Sequence, residues 1–189
     1  MKGLKASWRA VLIKITGNRS LVRLALLAAL MIGIVILYQV ASRRELTFET
    51  IEQIVTLDVF KQWQDKEPGL LIITGPDDLA EAEQFVTDEA MLNLSRLDFT
   101  THLAIIAFRG WIPTGGGFVR IEHVRHQGNE ISIYAQTTLN NPLGGGQAVE
   151  TSPYHLIKMS KAELEKGNFT FNLFFDWVRP VASVSHEVP

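Results

Sequence analysis

Residues 21–40 read Leu-Val-Arg-Leu-Ala-Leu-Leu-Ala-Ala-Leu-Met-Ile-Gly-Ile-Val-Ile-Leu-Tyr-Gln-Val, and only Arg23 and Gln39 interrupt the apolar run. At a helical rise of about 1.5 Å per residue, some twenty residues cover the ~30 Å hydrocarbon core of a bilayer. The run is expected to cross a membrane once as a helix and to tether everything that follows. The rest of the chain must then fold as a body held at a lipid surface.

Charge around this run sets its orientation. Lys2, Lys5, Arg9, Lys14, Arg19 and Arg23 precede or open it with no acidic residue among them. Arg43 and Arg44 follow it, with Glu45, Glu49 and Glu52 just beyond. Lys and Arg near the span ends decide topology, and carboxylates count for little. The N-terminus is therefore expected in the cytoplasm and the C-terminal body outside. Residues 1–20 read as a cytoplasmic basic flank against anionic headgroups, residues 21–42 as a transmembrane signal anchor, and residues 45–189 as an extracytoplasmic domain. The small residues Val40-Ala41-Ser42 offer a signal-peptidase site. The apolar core, however, is longer than a signal h-region and a long flank precedes it, which favours an uncleaved anchor. Tyr38 falls at headgroup level. Solvation by lipid accounts for the basic flank without nucleic acid as a partner.

The 189-residue chain is 47% hydrophobic and 20% charged with net charge −2, values of a folded protein and not of a disordered tail. It has no cysteine. Neither a disulfide nor a lipidated thiol is available, so the exported body must rest on its core alone. Sequons at Asn18, Asn93 and Asn168 matter only on a eukaryotic secretory route.

Short strand patterns dominate from residue 46 onward. Leu46, Phe48 and Thr50 alternate in a half-buried strand continuing towards Ile54. A looser stretch, 57–68, holds Phe60 and Trp63 as apolar pins. The continuous apolar run 69–74 reads as a strand and stops at Gly75-Pro76. Asp77 or Asp78 is placed to cap one helix through Leu79, Ala82, Phe85, Val86, Ala90 and Met91, ending before Asp98. Residues 102–108 read as a buried central strand. Strict alternation then predicts Phe118, Arg120, Glu122, Val124 and His126 on one face, with Val119, Ile121, His123 and Arg125 on the other. A turn at Gln127-Gly128-Asn129 returns the chain through 130–139, with Ile131, Ile133 and Ala135 sharing a side. Further strands are expected at 154–159 and over Phe169, Phe171 and Leu173, with a helical turn at 162–166 between them and a last strand at 178–184. The fold class this predicts is α+β leaning to β: an N-terminal transmembrane helix, then an antiparallel β-sheet domain with one packed helix.

Catalytic chemistry finds no motif. His123 and His126 differ by three positions on one strand and point to opposite faces, so they do not chelate one metal without a bulge. His102, His155 and His186 read as surface or core-edge residues. No Gly-x-Ser-x-Gly surrounds any serine, and Asp77-Asp78 suits a cap better than acid–base work. The glycine loops at 114–117 and 140–147 lack the Lys-Ser/Thr ending of a phosphate loop and do not open helices. No enzyme activity, cofactor or metal is expected.

Between Asp98 and Lys158 the chain resembles the PrcB family of bacterial exported proteins. The likeness lies in Asp98-Phe99 leading a hydrophobic strand that ends at Gly110, in Pro113-Thr114-Gly115-Gly116, in the hairpin between Ile121 and Ala135, and in Ser152-Pro153-Tyr154-His155-Leu156-Ile157-Lys158. The earlier run at 69–74 with its helix fits too. The family is named for a small subunit of a cell-surface protease complex, thought to help assemble or stabilise the protease. The resemblance implies an exported, non-catalytic, protein-binding accessory role, with a protease or another membrane complex as partner. It does not cover the anchor, and many members are instead lipoproteins or have cleaved signals.

Loops on a rigid sheet make recognition surfaces. The expected partner-binding residues are Trp111, Ile112, Thr114, Gly115, Gly116 and Gly117 in one loop, Asn140, Asn141 and Leu143 in another, and Tyr154. The expected partners are membrane lipid and a protein. A second reading is a small-ligand-binding or envelope-sensing domain whose loops close on a ligand.

Overall fold

The computed structural model describes residues 19–41, 43–54, 67–111, 117–137 and 152–189. The chain divides into two units, Met1–Arg43 and Arg44–Pro189. The first contains helix α1, Arg19–Ala41, 23 residues long. Side chains in it are described over 21–34. Leu24, Leu26, Leu27, Leu30, Met31 and Ile32 are each about three-fifths exposed, so α1 presents apolar side chains around its circumference. Among the residues described to the side chain, no helix is long and apolar enough to cross a membrane.

The second unit is α+β and mostly β. Its strands are β1 (Arg44–Leu46), β2 (Phe48–Ile54), β3 (Gly69–Ile73), β4 (His102–Phe108), β5 (Val119–Gln127), β6 (Glu130–Thr137), β7 (Tyr154–Ser160), β8 (Gly167–Phe174) and β9 (Ala182–Val188). They form a five-stranded sheet ordered β1-β5-β6-β8-β9 and a four-stranded sheet ordered β2-β7-β4-β3. Leu46, Ile72, Ile105, Val124, Ile133, Ile157 and Phe171 come from both sheets and meet in one apolar cluster, the filling of a sandwich. Leu71, Ile73, Ile106, Phe108, Tyr154 and Leu156 point the other way. They pack on Ala82, Val86, Ala90 and Leu94 from helices α2 (Leu79–Ala82) and α3 (Asp88–Ser95). The four-stranded sheet is thus covered on both faces. That is why β3 and β4 are continuous apolar runs although their pairing is antiparallel.

Several expectations are corrected. The predicted strand from Leu46 to Ile54 is two strands in different sheets. Leu46 points into the sandwich, and the chain crosses at Thr47, whose hydroxyl donates to Glu163 at 2.6 Å. The single helix is two. A 3-10 turn at Pro76–Asp78 leads into α2, and Thr87 starts α3 afresh from extended backbone (φ −67°, ψ 161°). Thr87 Oγ1 accepts from Ala90 N at 3.0 Å, a normal N-cap bond. Asp78 does not cap forward. Its carboxylate reaches back to accept from Thr74 N at 2.7 Å and Gly75 N at 3.1 Å.

Alternation along β5 breaks at a bulge between Ile121 and His123. The extra residue shifts parity by one. Val124 therefore joins Val119 and Ile121 in the core, and His123 and Arg125 turn to the outer face. The hairpin turn is Gly128-Asn129, with Gly128 at φ 60°, a conformation that favours glycine. The sheets are not wholly antiparallel. After β6 the chain crosses to lay down β7 in the other sheet, then returns as β8 parallel to β6. The helical turn predicted at 162–166 is a 3-10 turn at Lys161–Glu163. The last strand starts at Ala182 and not at 178, because the Asp176 carboxylate accepts from Val178 N and Arg179 N and holds a turn there. Phe60, Trp63 and the predicted strand end at 138–139 lie outside the described residues.

Candidate interaction surface

The outer face of the five-stranded sheet is built by the bulge, the crossover and one loop. Parallel pairing sets Tyr134 of β6 beside Phe174 of β8, and their rings lie 5.0 Å apart at 24°. The turn at Asp176 folds Trp177 back over the sheet, where its ring stacks on Tyr134 at 4.2 Å and 21°. On the other side of Tyr134 the bulge presents His123, whose ring lies 5.8 Å from Trp177. The Arg125 guanidinium lies 5.0 Å from the Trp177 ring and 5.4 Å from that of Tyr134, within cation–π range. Glu45 of β1 holds both basic groups, accepting from His123 Nδ1 at 2.7 Å and from Arg125 Nε at 2.8 Å. Burial raises the Glu45 pKa. The hydrogen bonds and charges of Arg125 and His123 outweigh it, and the carboxyl sits below its ordinary value. Trp177 nonetheless leaves 61% of its surface exposed, and Val178 beside it 85%.

Of the residues chosen from the sequence, Trp111, Gly117 and Tyr154 lie within the described residues. Trp111 is half-buried and Gly117 buried, at the two ends of their loop. Ile112, Thr114, Gly115, Gly116, Asn140, Asn141 and Leu143 lie outside the described residues. Tyr154 is fully buried and has no ring surface to give a partner. Its hydroxyl donates to the Glu52 carboxylate and accepts from Thr87 N at 3.2 Å. Burial, then the Glu52 bond, pushes the phenol well above its ordinary pKa. At the start of the predicted loop, the Arg109 guanidinium lies 5.7 Å from the Phe175 ring, so this loop begins at the corner that carries Trp177. Tyr134, Phe174, Trp177, His123, Arg125 and Glu45 were not singled out. The alternation of Ile131, Ile133 and Ala135, and of Phe169, Phe171 and Leu173, leaves Tyr134 and Phe174 to the opposite faces, but nothing local pairs β6 with β8 or folds Trp177 over them.

No family model, curated protein or solved structure matches this chain.

Two polar groups, one buried and one partly exposed, resemble catalytic parts and act as ties. His155 is 2% exposed between the sheets. Its Nδ1 accepts from Ile121 N at 2.8 Å, at the bulge, so Nε2 carries the proton donated to Thr50 Oγ1 at 2.9 Å. Burial, with a smaller push from Arg120, lowers its pKa to about 4. Both nitrogens are thus engaged in joining β7 to β5 and β2. The second group is Thr74, Asp78 and His186. Thr74 Oγ1 lies 2.9 Å and Asp78 Oδ2 3.7 Å from the same nitrogen, His186 Nε2. A catalytic relay needs the carboxylate and the nucleophile on opposite ring nitrogens, and Thr74 is buried. Lys161, also buried, donates from Nζ to Thr74 O at 2.9 Å and Phe99 O at 2.7 Å; burial lowers its pKa. Among the described residues no three His, Cys, Asp or Glu side chains converge to hold a metal.

Proposed function

We propose that this chain is a single-pass, membrane-anchored accessory protein whose extracytoplasmic domain binds a partner protein without catalysing a reaction. The observation that carries the reading is Trp177, an indole largely exposed yet held by Tyr134 and Arg125. Trp, Tyr and Arg are the side chains over-represented at interface hot spots, and a ring already fixed loses little freedom on binding. The apolar circumference of α1 supports the anchor, since a helix of this kind has no stable place in water. The basic flank supports a cytoplasmic N-terminus. The likeness to the PrcB family supports a surface protease or another membrane assembly as the partner.

The mechanism is mass action. A partner bound only in its folded, correctly placed form is stabilised by the complex, and the tether raises the local concentration of this domain beside a membrane-bound target. The hollow next to Tyr134 and Trp177 measures about 150 Å³, below the ~300 Å³ at which small-molecule pockets begin. At this surface the size suits a single partner side chain and not a whole small ligand. The test is affinity purification of the full chain from gently solubilised native membranes, beside a Trp177→Ala variant of unchanged melting temperature. Wild type is expected to return a stoichiometric protein that the variant loses. Equal return from both, or none from either, overturns the reading.

A further inference from the structure

The hollow beside the Tyr134–Trp177 stack combines two features. Four aromatic residues line it, Tyr134, Phe174, Phe175 and Trp177, together with the carboxylate residues Glu122 and Asp176; Phe175 also packs against the sandwich core. No lysine or arginine is among its lining residues. Aromatic faces attract cations through their quadrupole, more strongly where water is partly excluded. The same rings already draw the chain's own cations: Arg125 rests against Trp177 and Tyr134, and Arg109 against Phe175. Neither arginine lines the hollow. Asp176 is fixed by the backbone N–H groups of Val178 and Arg179. Glu122 accepts from Arg120 Nη2 at 3.1 Å, and the same nitrogen donates to Gln136 Oε1 at 2.8 Å; the ion pair is exposed and of small energetic weight, so a guest cation has to share the carboxylate with Arg120. The space, about 150 Å³, matches one side-chain head group and not a whole ligand.

We propose that this hollow is a cation-accepting subsite that receives an arginine or lysine head group from the partner protein. The proposal rests on the partner-binding reading and names what that surface recognises. The guest's charge meets Asp176 and Glu122, and its flat or alkyl portion packs on the rings. Arginine fits best, because a guanidinium stacks on rings and bonds carboxylates at once.

The test titrates the full chain in detergent micelles with N-acetyl-arginine methylamide, following the indole N–H resonance of Trp177. N-acetyl-norleucine methylamide serves as the uncharged control. The arginine probe is expected to shift this resonance saturably, and to bind about fivefold or more tightly than norleucine. Glu122→Gln should weaken the arginine probe by about threefold while leaving the norleucine response unchanged. Equal binding of both probes, no shift of Trp177, or no effect of Glu122→Gln overturns the subsite. Partner capture separates the two levels of the account. If Glu122→Gln captures the partner fully while Trp177→Ala loses it, the partner surface stands and cation recognition fails. If neither variant loses the partner, the partner surface fails as well.

Discussion

The Trp177 ring lies 4.2 Å from that of Tyr134 and within 21° of parallel, although the two residues belong to different elements and Trp177 is 61% exposed. The stack depends on three separate causes. The bulge in β5 turns His123 and Arg125 outward, the crossover pairs β6 with β8, and the Asp176 turn returns the chain over the sheet. A side chain that is held yet uncovered is poised for contact with something outside the chain.

Orientation in the membrane is directly measurable because the chain has no cysteine. A single Ser185→Cys should react with a membrane-impermeant maleimide in intact cells, and a single Ser7→Cys only after permeabilisation. The reverse pattern would contradict a cytoplasmic N-terminus.

His155 makes stability depend on pH in a defined window. Its folded pKa is about 4 against 6.5 in the unfolded chain, so between those values the unfolded state binds a proton that the folded state does not. Stability therefore falls as pH drops from about 6.5 to about 4, by about 3 kcal/mol over the whole window, and is unaffected by this group above it. His155→Asn keeps an acceptor for Ile121 N and loses the bond to Thr50, costing about 1 kcal/mol at neutral pH. Denaturant melts from pH 7 to pH 4 should show a shallower loss in the variant than in wild type. Parallel curves would refute the assignment.

Tyr154→Phe tests the tie between the sheet and its helical cover. It removes the donor to Glu52 and leaves Thr87 N without its acceptor. Losing a buried partner costs about 1–3 kcal/mol, measurable as a lower urea midpoint with unchanged slope. An unchanged midpoint would mean that the hydroxyl contributes no net stability.

How far the sequence could be read follows from periodicity. In β8, Phe169, Phe171 and Leu173 alternate with polar neighbours because one face alone is buried, and the strand was evident. β3 and β4 were evident as strands from their unbroken apolar runs, but an unbroken run does not say which face meets what. Tyr154 shows the consequence. It lies in a strand covered on both sides, so a tyrosine after a glycine-rich loop looked available and is enclosed. The bulge left no local mark, since His123-Val124-Arg125 alternates equally well in either parity. The helix broke where Thr87 recaps it, although Leu79, Ala82, Val86 and Ala90 had kept a helical spacing through the break. The interaction surface was least legible of all. It joins residues 45, 123–125, 134 and 174–177 through long-range pairing that no single segment encodes.

The most direct test of the account places a photo-reactive p-benzoyl-phenylalanine at position 178, beside Trp177, and separately at position 92 on α3, where Leu92 is 49% exposed on the helical layer. Both full-length variants are irradiated in native membranes. The account predicts one discrete protein adduct from position 178 and none from position 92. An adduct from 92 with none from 178 would contradict it.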